Sequence, residues 1–310
     1  MYIPEDQVRA ALTYEALIPA ICQALIDYST GKVEQPLRQV LRVKDTSGNP
    51  TGWFAVMPVI SGEYMAVKTV TFYLGNANLT RHLHSHLATI ELLDRATGEP
   101  LAVMDGRLIT EMRTAAVSAV ALDALAPPDA ASLGILGSGV QARSHLTALR
   151  KARPALNDIR IWSRDPAHAN RLAAEAGARA VPIEEAAAAD VVLTVTSSPQ
   201  PVLQGRWLAP HALVLAVGAV GAHLRELDDV ALRGAWLVAE SRQGAERESG
   251  DVLLSGAQVQ AEIGEVLAGA TSPPRGGRIV FKSVGMAIED LTAARLVWQA
   301  RNAATGPDAA

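Results

Sequence analysis

The 310-residue sequence holds one cysteine, Cys22, which excludes an internal disulfide and any metal cluster built on thiolates. Aromatic residues are scarce at 4%, whereas hydrophobic residues reach 49% and alanine is abundant, which suggests helices packed closely on a sheet. Charge of neither sign dominates: 28 basic against 32 acidic side chains leave −4. Such a balance offers nucleic acid no basic footprint and a membrane surface no polybasic patch. The longest apolar stretch, Ala212 to Ala222, is about half of a membrane span. The start, Met1-Tyr2-Ile3-Pro4-Glu5-Asp6, has no basic region followed by an apolar one, so no signal peptide is expected. What remains is the profile of a cytoplasmic globular protein, with a length suited to two domains at about 150 residues each.

Apolar spacing divides the chain into two rhythms. Residues Pro4 to Tyr28 carry a helical stripe through Val8, Leu12, Ala16, Ala20 and Ala24, with Ile18, Ile21 and Leu25 beside it. Cys22 falls inside this pattern and reads as a small core residue. Short β-like runs follow at Leu37–Val43, Trp53–Ile60, Tyr64–Phe72, Leu87–Leu93 and Leu101–Met104. Turn sequences such as Ser47-Gly48-Asn49-Pro50 and Thr97-Gly98-Glu99-Pro100 separate them, so the first third predicts an antiparallel α+β unit. After a helix from Leu108 to Leu125, apolar runs at Leu133–Leu136, Ile159–Trp162, Val191–Thr196, Leu213–Val217, Trp236–Ala239 and Ile279–Val284 alternate with helical or loop segments. That alternation predicts a parallel sheet covered on both faces, an α/β doubly wound arrangement. A last amphipathic helix, Ala287 to Arg301, is placed to pack back on the first domain and make it discontinuous.

The segment Gly134-Ile135-Leu136-Gly137-Ser138-Gly139-Val140-Gln141-Ala142 carries G-x-G-x-x-A between a strand and a helix. Gly137 permits the tight turn, Gly139 lets backbone approach a pyrophosphate, and Ala142 allows close helix–strand packing. With Ser138, Val140 and Gln141 these residues form a dinucleotide-binding turn, the helix N-terminus supplying N–H groups for phosphates. The next strand ends at Trp162-Ser163-Arg164-Asp165. Ser163 and Arg164 suit a 2′-phosphate, so NADP(H) is preferred and NAD(H) remains possible. Asp165 is equally suited to capping the helix that begins at Pro166.

Three cations stand where charge is costly. Strand alternation places Lys68 on one face with Ala66, Val70 and Phe72. Helical spacing places Arg113 on a stripe with Ala116, Val117 and Val120. Arg42 lies beside Val40 on a third run. Such groups need anionic partners, either internal salt bridges or a shared anion site that would suit a substrate carboxylate. His82, His84 and His86 alternate, but no carboxylate or cysteine stands at ligand spacing, so no metal site is read. Ser197-Ser198 sit in no nucleophile elbow, which disfavours a hydrolase.

These segments, with Thr110-Glu111-Met112-Arg113-Thr114-Ala115-Ala116, Arg225-Glu226-Leu227-Asp228 and Phe281-Lys282-Ser283-Val284-Gly285, resemble the ornithine cyclodeaminase/μ-crystallin family over nearly the whole chain. The resemblance implies a Rossmann domain over residues 119–285 and a substrate-binding and dimerisation domain over 1–118, completed by 286–310. It also implies a homodimer. It implies further that Lys68, Arg113 and Arg42 hold a substrate carboxylate, and that Thr196, Ser197, Val217, Gly218, Val284 and Gly285 border the nicotinamide half of the cofactor. Cyclodeaminases of the family carry a catalytic aspartate where Val220 stands here, and a glutamate where Ala55 precedes Val56-Met57-Pro58. Those departures point to the ketimine-reductase branch. The implied substrate is a small imino or amino acid such as Δ1-pyrroline-2-carboxylate or Δ1-piperideine-2-carboxylate. The rival readings are ornithine cyclodeamination with bound NAD, reductive amination of a 2-oxo acid, and a non-catalytic binder of NADPH and ligand. Asp228 reads as a helix cap or a site residue.

Overall fold

The structure, a computed structural model, describes the chain from Met1 to Thr305 apart from residues 74, 77, 78, 81, 82 and 275. It divides into two compact units, Met1–Arg113 with Met286–Ala310, and Thr114–Gly285. In chain order the first stretch comprises β1 (Tyr2–Ile3), α1 (Glu5–Ala11), α2 (Tyr14–Ser29), β2 (Val33–Glu34), β3 (Gln39–Lys44), β4 (Pro50–Ser61), β5 (Tyr64–Phe72), β6 (His86–Asp94), β7 (Pro100–Asp105) and α3 (Gly106–Leu125). The second comprises β8 (Ser132–Leu136), α4 (Val140–Ala152), β9 (Asp158–Trp162), α5 (Pro166–Ala176), β10 (Arg179–Ala180), α6 (Ile183–Ala187), β11 (Val191–Thr194), β12 (Leu213–Ala216), α7 (Asp229–Leu232), β13 (Trp236–Ala239), α8 (Arg242–Glu248), α9 (Gly250–Ser255), β14 (Ala261–Glu262), α10 (Ile263–Leu267) and β15 (Ile279–Lys282). The chain closes with α11 (Ala287–Thr305).

In the first unit the strands form one sheet in the order β1-β7-β6-β5-β4-β2, with β3 also paired to β4. All pairs are antiparallel except β1 with β7. Gly98, at φ 75°, closes the β6–β7 turn in a conformation that side-chain-bearing residues rarely adopt. The continuous helix expected over Pro4–Tyr28 is two helices bent by 86° at Leu12-Thr13. Thr13 is extended (φ −122°, ψ 153°) and its hydroxyl accepts the N–H of Ala16, so an N-cap interrupts a stripe that apolar spacing alone would carry through. Cys22 is half-buried rather than a core residue, because the α2 stripe runs through Leu17, Ile21 and Leu25 and leaves Cys22 one step round the helix. Among the described residues no single helix is long and apolar enough to cross a membrane.

The second unit is an eight-stranded sheet, parallel throughout, ordered β10-β9-β8-β11-β12-β15-β13-β14. Chain order reverses at β8, the point of a doubly wound sheet at which ligands bind beyond the strand ends. Strands β11, β12 and β15 are fully buried, which explains their apolar character up to the closing Thr194 of β11 and Lys282 of β15. They end two, one and two residues before the apolar pattern does. The surplus residues, Val195-Thr196, Val217 and Ser283-Val284, form the loops at the carboxyl edge.

Candidate functional site

Register places one charged side chain, Lys68, in an otherwise apolar row across the first sheet. Met57 on β4, Lys68 on β5, Ile90 on β6 and Met104 on β7 are direct cross-strand neighbours. Lys68 is 2% exposed among buried apolar side chains. Its Nζ lies 2.5 Å from Asp290 Oδ2. Arg113, near the middle of α3, is 5% exposed, with Nη1 2.5 Å from Glu289 Oε2 and Nε 3.3 Å from Asp290 Oδ1. Both acids stand in the first turn of α11, where a helix dipole favours negative charge. The Ile288 N–H donates to Gln35 Oε1 at 2.9 Å, fixing that turn. Burial, helped by the Arg113 and Arg38 charges, pulls the Lys68 ammonium down to about 8 against the attraction of Asp290.

Arg42 does not join this row. It is exposed on β3, its guanidinium 4.9 Å from the centre of the Trp53 ring. Arg42 pairs with Trp53 whereas Lys68 pairs with Met57, four residues along β4, or about 13 Å at strand rise. The cation acting on Lys68 from this segment is Arg38, half-buried just before β3. Arg38 and Arg42 share strand parity, so alternation alone could not choose between them.

Beside that row, two residues along each strand, lie Val40, Ala55, Val70 and Ala88 in register, an apolar floor. Beyond it come Trp53, Phe72 and His86. Burial and the Lys68 and Arg113 charges hold His86 down at about 4, which leaves its ring neutral at physiological pH. His84 is exposed and His82 lies outside the described residues; no group of three metal-ligating side chains occurs among the described residues.

In the second unit β8 runs into Gly137, whose φ of 131° favours glycine and where a Cβ would come 2.8 Å from the Val195 carbonyl. Gly139 caps α4 with no side-chain hydrogen bond, and a Cβ placed there would meet only open space. The first N–H groups of α4 thus receive no side-chain cap from Gly139, an arrangement suited to an anion, and the Gln141 Oε1 beside them is buried with no partner among the described residues. Ala142 is fully buried, and Val140 is exposed. His145, also buried, anchors the helix: Nδ1 is 2.8 Å from the Gln141 carbonyl and Nε2 is 3.0 Å from Ser118 Oγ. Ser138 Oγ meets Ser163 Oγ at 2.8 Å, joining the glycine turn to the end of β9. Arg164 is exposed next to it, and Asp165 is the N-cap of α5, accepting the Ala167 N–H. These features fit a dinucleotide's phosphates and adenosine ribose. Thr196 and Ser197 follow β11, Val217 and Gly218 follow β12, and Val284 and Gly285 follow β15. Asp228 is the N-cap of α7, accepting from Ala231 and Gly205, which gives it a structural role.

With this geometry in view, relatives become informative. Residues 3–304 match the model of the ornithine cyclodeaminase/mu-crystallin family. The chain belongs to that family. Mouse ketimine reductase mu-crystallin is 42% identical over 303 residues, covering 95% of this chain and 94% of the mouse protein. A Δ1-pyrroline-2-carboxylate/Δ1-piperideine-2-carboxylate reductase of Azospirillum brasilense is 35% identical over 293 residues, 92% of this chain and 91% of that one. The Thermococcus litoralis Δ1-pyrroline-2-carboxylate reductase, solved with NADH and L-proline, superposes with a TM-score of 0.90 at 31% identity, covering 97% of each chain.

Sequence reasoning missed Arg38, Glu289 and Asp290. The two acids left a signal: adjacent carboxylates between Ile288 and Leu291, where a buried helix face offers no solvent.

Proposed function

We propose that this family member reduces the C=N bond of small cyclic ketimine carboxylates with NAD(P)H, giving proline or pipecolate. The observation that carries this reading is the convergence of buried Lys68 and Arg113, with Arg38 acting on Lys68 from beside them, a group of cations that suits one substrate carboxylate. Arg113 and Arg38 hold that carboxylate, arginine giving a planar two-point grip. Fixing the substrate in this way removes part of the entropic cost of the chemical step. The ring then lies over the apolar floor of Ala55 and Val70, which suits methylenes. A side-chain amine would find no carboxylate at Ala55 or Val220, so cyclodeamination is disfavoured. Lys68 holds a proton that burial makes easier to release than an ordinary lysine's, and it passes this proton toward the imine nitrogen. A bound nicotinamide nucleotide supplies the hydride for the imine carbon.

The glycine turn and the α4 N-terminus would hold the pyrophosphate, and Ser163 with Arg164 would favour a 2′-phosphate, so NADPH is the proposed cofactor. A cytoplasmic homodimer is the proposed form; exposed Leu41 on β3, at 63%, offers apolar surface for a partner copy on the face opposite the floor. The test is oxidation of NADPH, and of NADH in parallel, by the purified protein with Δ1-pyrroline-2-carboxylate and Δ1-piperideine-2-carboxylate. Conversion to the amino acids is expected. Ammonia release from ornithine without added reductant, with both imines inert, would overturn the reading.

A further inference from the structure

We infer that Glu226 and Glu240 are positioning residues that set the loops bordering the nicotinamide half of the cofactor. The inference rests on the reading above that the second unit seats a nicotinamide dinucleotide. Glu226 is 0% exposed. Its Oε1 accepts the Thr196 N–H at 2.5 Å, and its Oε2 accepts the Gly218 N–H at 2.7 Å and the Thr194 hydroxyl at 2.8 Å. One side chain thus ties the loop after β11 to the loop after β12. The N–H groups of Glu226 and Leu227 donate in turn to Asp251 Oδ1 at 2.8 and 3.0 Å, and Asp251 Oδ2 faces Lys282 Nζ, at the end of β15, at 3.1 Å. Glu240, 1% exposed just after β13, accepts the N–H groups of Val284 at 3.0 Å and Gly285 at 2.7 Å.

Four backbone N–H groups beyond three neighbouring strands therefore donate to two buried carboxylates, that of Gly218 also reaching the Thr194 carbonyl at the longer distance of 3.2 Å. Each belongs to a residue named above as bordering the nicotinamide. Ligands of such sheets sit outside the carboxyl ends of the strands, where loop N–H groups have no ladder partner. A carboxylate carries acceptors only, so it gathers these groups from the inner side and fixes which way each loop turns. The loops are pressed together as well: a Cβ on Gly218 would collide with the Thr196 backbone. Burying carboxylates is costly for stability, and well-packed apolar residues would often serve that purpose as well or better. Loop geometry accounts for the choice.

The test is Glu226→Gln, which keeps the shape but turns one acceptor oxygen into a donor aimed at an N–H. Affinities for NADPH and NADH, and for 2′,5′-ADP and ADP as probes of the adenosine half, are measured with kcat and KM. A dinucleotide affinity and kcat/KM reduced about 10- to 100-fold are expected, from the unsatisfied donor, with the adenosine probes within about twofold of wild type. Unchanged dinucleotide affinity and turnover would overturn the inference, as would equal loss for both kinds of ligand, which marks a merely structural role. Should Glu226→Gln fail to fold, Glu240→Ala is read by the same criteria. Wild-type protein that binds neither NADPH nor NADH would instead overturn the cofactor reading itself.

Discussion

Asp290→Asn isolates the electrostatics on which Lys68 depends. Asp290 is the attraction that keeps the buried ammonium as high as about 8; burial, Arg113 and Arg38 all push it down. Removing the carboxylate's charge therefore lowers Lys68 further. Two unit charges roughly 4 Å apart, at an effective dielectric of 20, interact by about 4 kcal/mol. At about 1.4 kcal/mol per unit this corresponds to a downward shift of up to ~3 units. If the protonated lysine is the active form, kcat/KM falls as pH rises through the lysine's value in the free enzyme. The wild-type profile should fall near pH 8, and the Asp290→Asn profile at least about one unit lower by the same Coulomb argument. Arg38→Met removes a like charge and should move the fall upward. Any ionisation belonging to the free imine stays at one pH in all three proteins, which separates it from the lysine. Dinucleotide binding serves as the control for folding. Falling limbs that coincide in the three proteins would refute the assignment of the proton to Lys68.

Four other outcomes are expected. Arg113→Ala should cut kcat/KM by about 30-fold or more, since truncating one member of a buried charge pair costs at least about 2 kcal/mol; NADPH affinity should be unchanged, and unchanged turnover would remove the carboxylate role. Arg38→Ala should impair turnover while Arg42→Ala stays near wild type in the same steady-state assay; the reverse order would restore Arg42 to the site. The Lys68 value of about 8 against 10.5 costs about 3 kcal/mol of folded stability, present below pH 8 and relieved between pH 8 and 10.5, where the unfolded chain holds the proton more firmly. Urea denaturation of the wild type should thus show added stability at pH 9.5 over pH 7 that Lys68→Met lacks, and parallel curves would contradict this. Ser163→Asp should lower the NADPH-to-NADH ratio of kcat/KM by about tenfold or more, as a carboxylate there repels a 2′-phosphate and suits ribose hydroxyls; an unmoved ratio would place cofactor choice elsewhere.

Local pattern carried much of the fold. The β8–glycine–α4 turn, the parallel strands and the α3 stripe through Arg113 follow from spacing over a few residues, and the structure has them where spacing puts them. Three kinds of feature escaped. The break at Thr13 depends on a single hydroxyl competing with helix continuation, which an apolar stripe does not register. That Arg38, just before β3, rather than Arg42 acts on Lys68 depends on how far each lies along β4 from Met57, the partner of Lys68, and that is fixed by pairing between β3, β4 and β5 rather than by alternation. Glu289 and Asp290 lie some 176 residues beyond Arg113, so their partnership needed the return of α11 to the first unit. Long-range register and chain return are properties of the assembled fold, and a single sequence encodes them only through side chains that look misplaced.

That logic also locates where members of this family would diverge. A carboxylate is common to ketimine, amino-acid and diamino-acid substrates, and on the reading proposed above the Lys68 row answers it with charges held by α11. What the rest of the substrate meets is set two residues along the same strands, where Ala55 stands between Val40 and Val70 and is 7% exposed. A glutamate in that position would face the same floor roughly 7 Å along the strand from the cation row, within reach of a side-chain amine. Buried without such a cation it would remain an unpaired charge, which a protein handling uncharged rings has reason to avoid. Alanine there leaves the floor apolar. On the proposed reading, Ala55 beside the anion grip is thus one of the side chains, with Val220, that would set this chain apart from relatives acting on diamino acids.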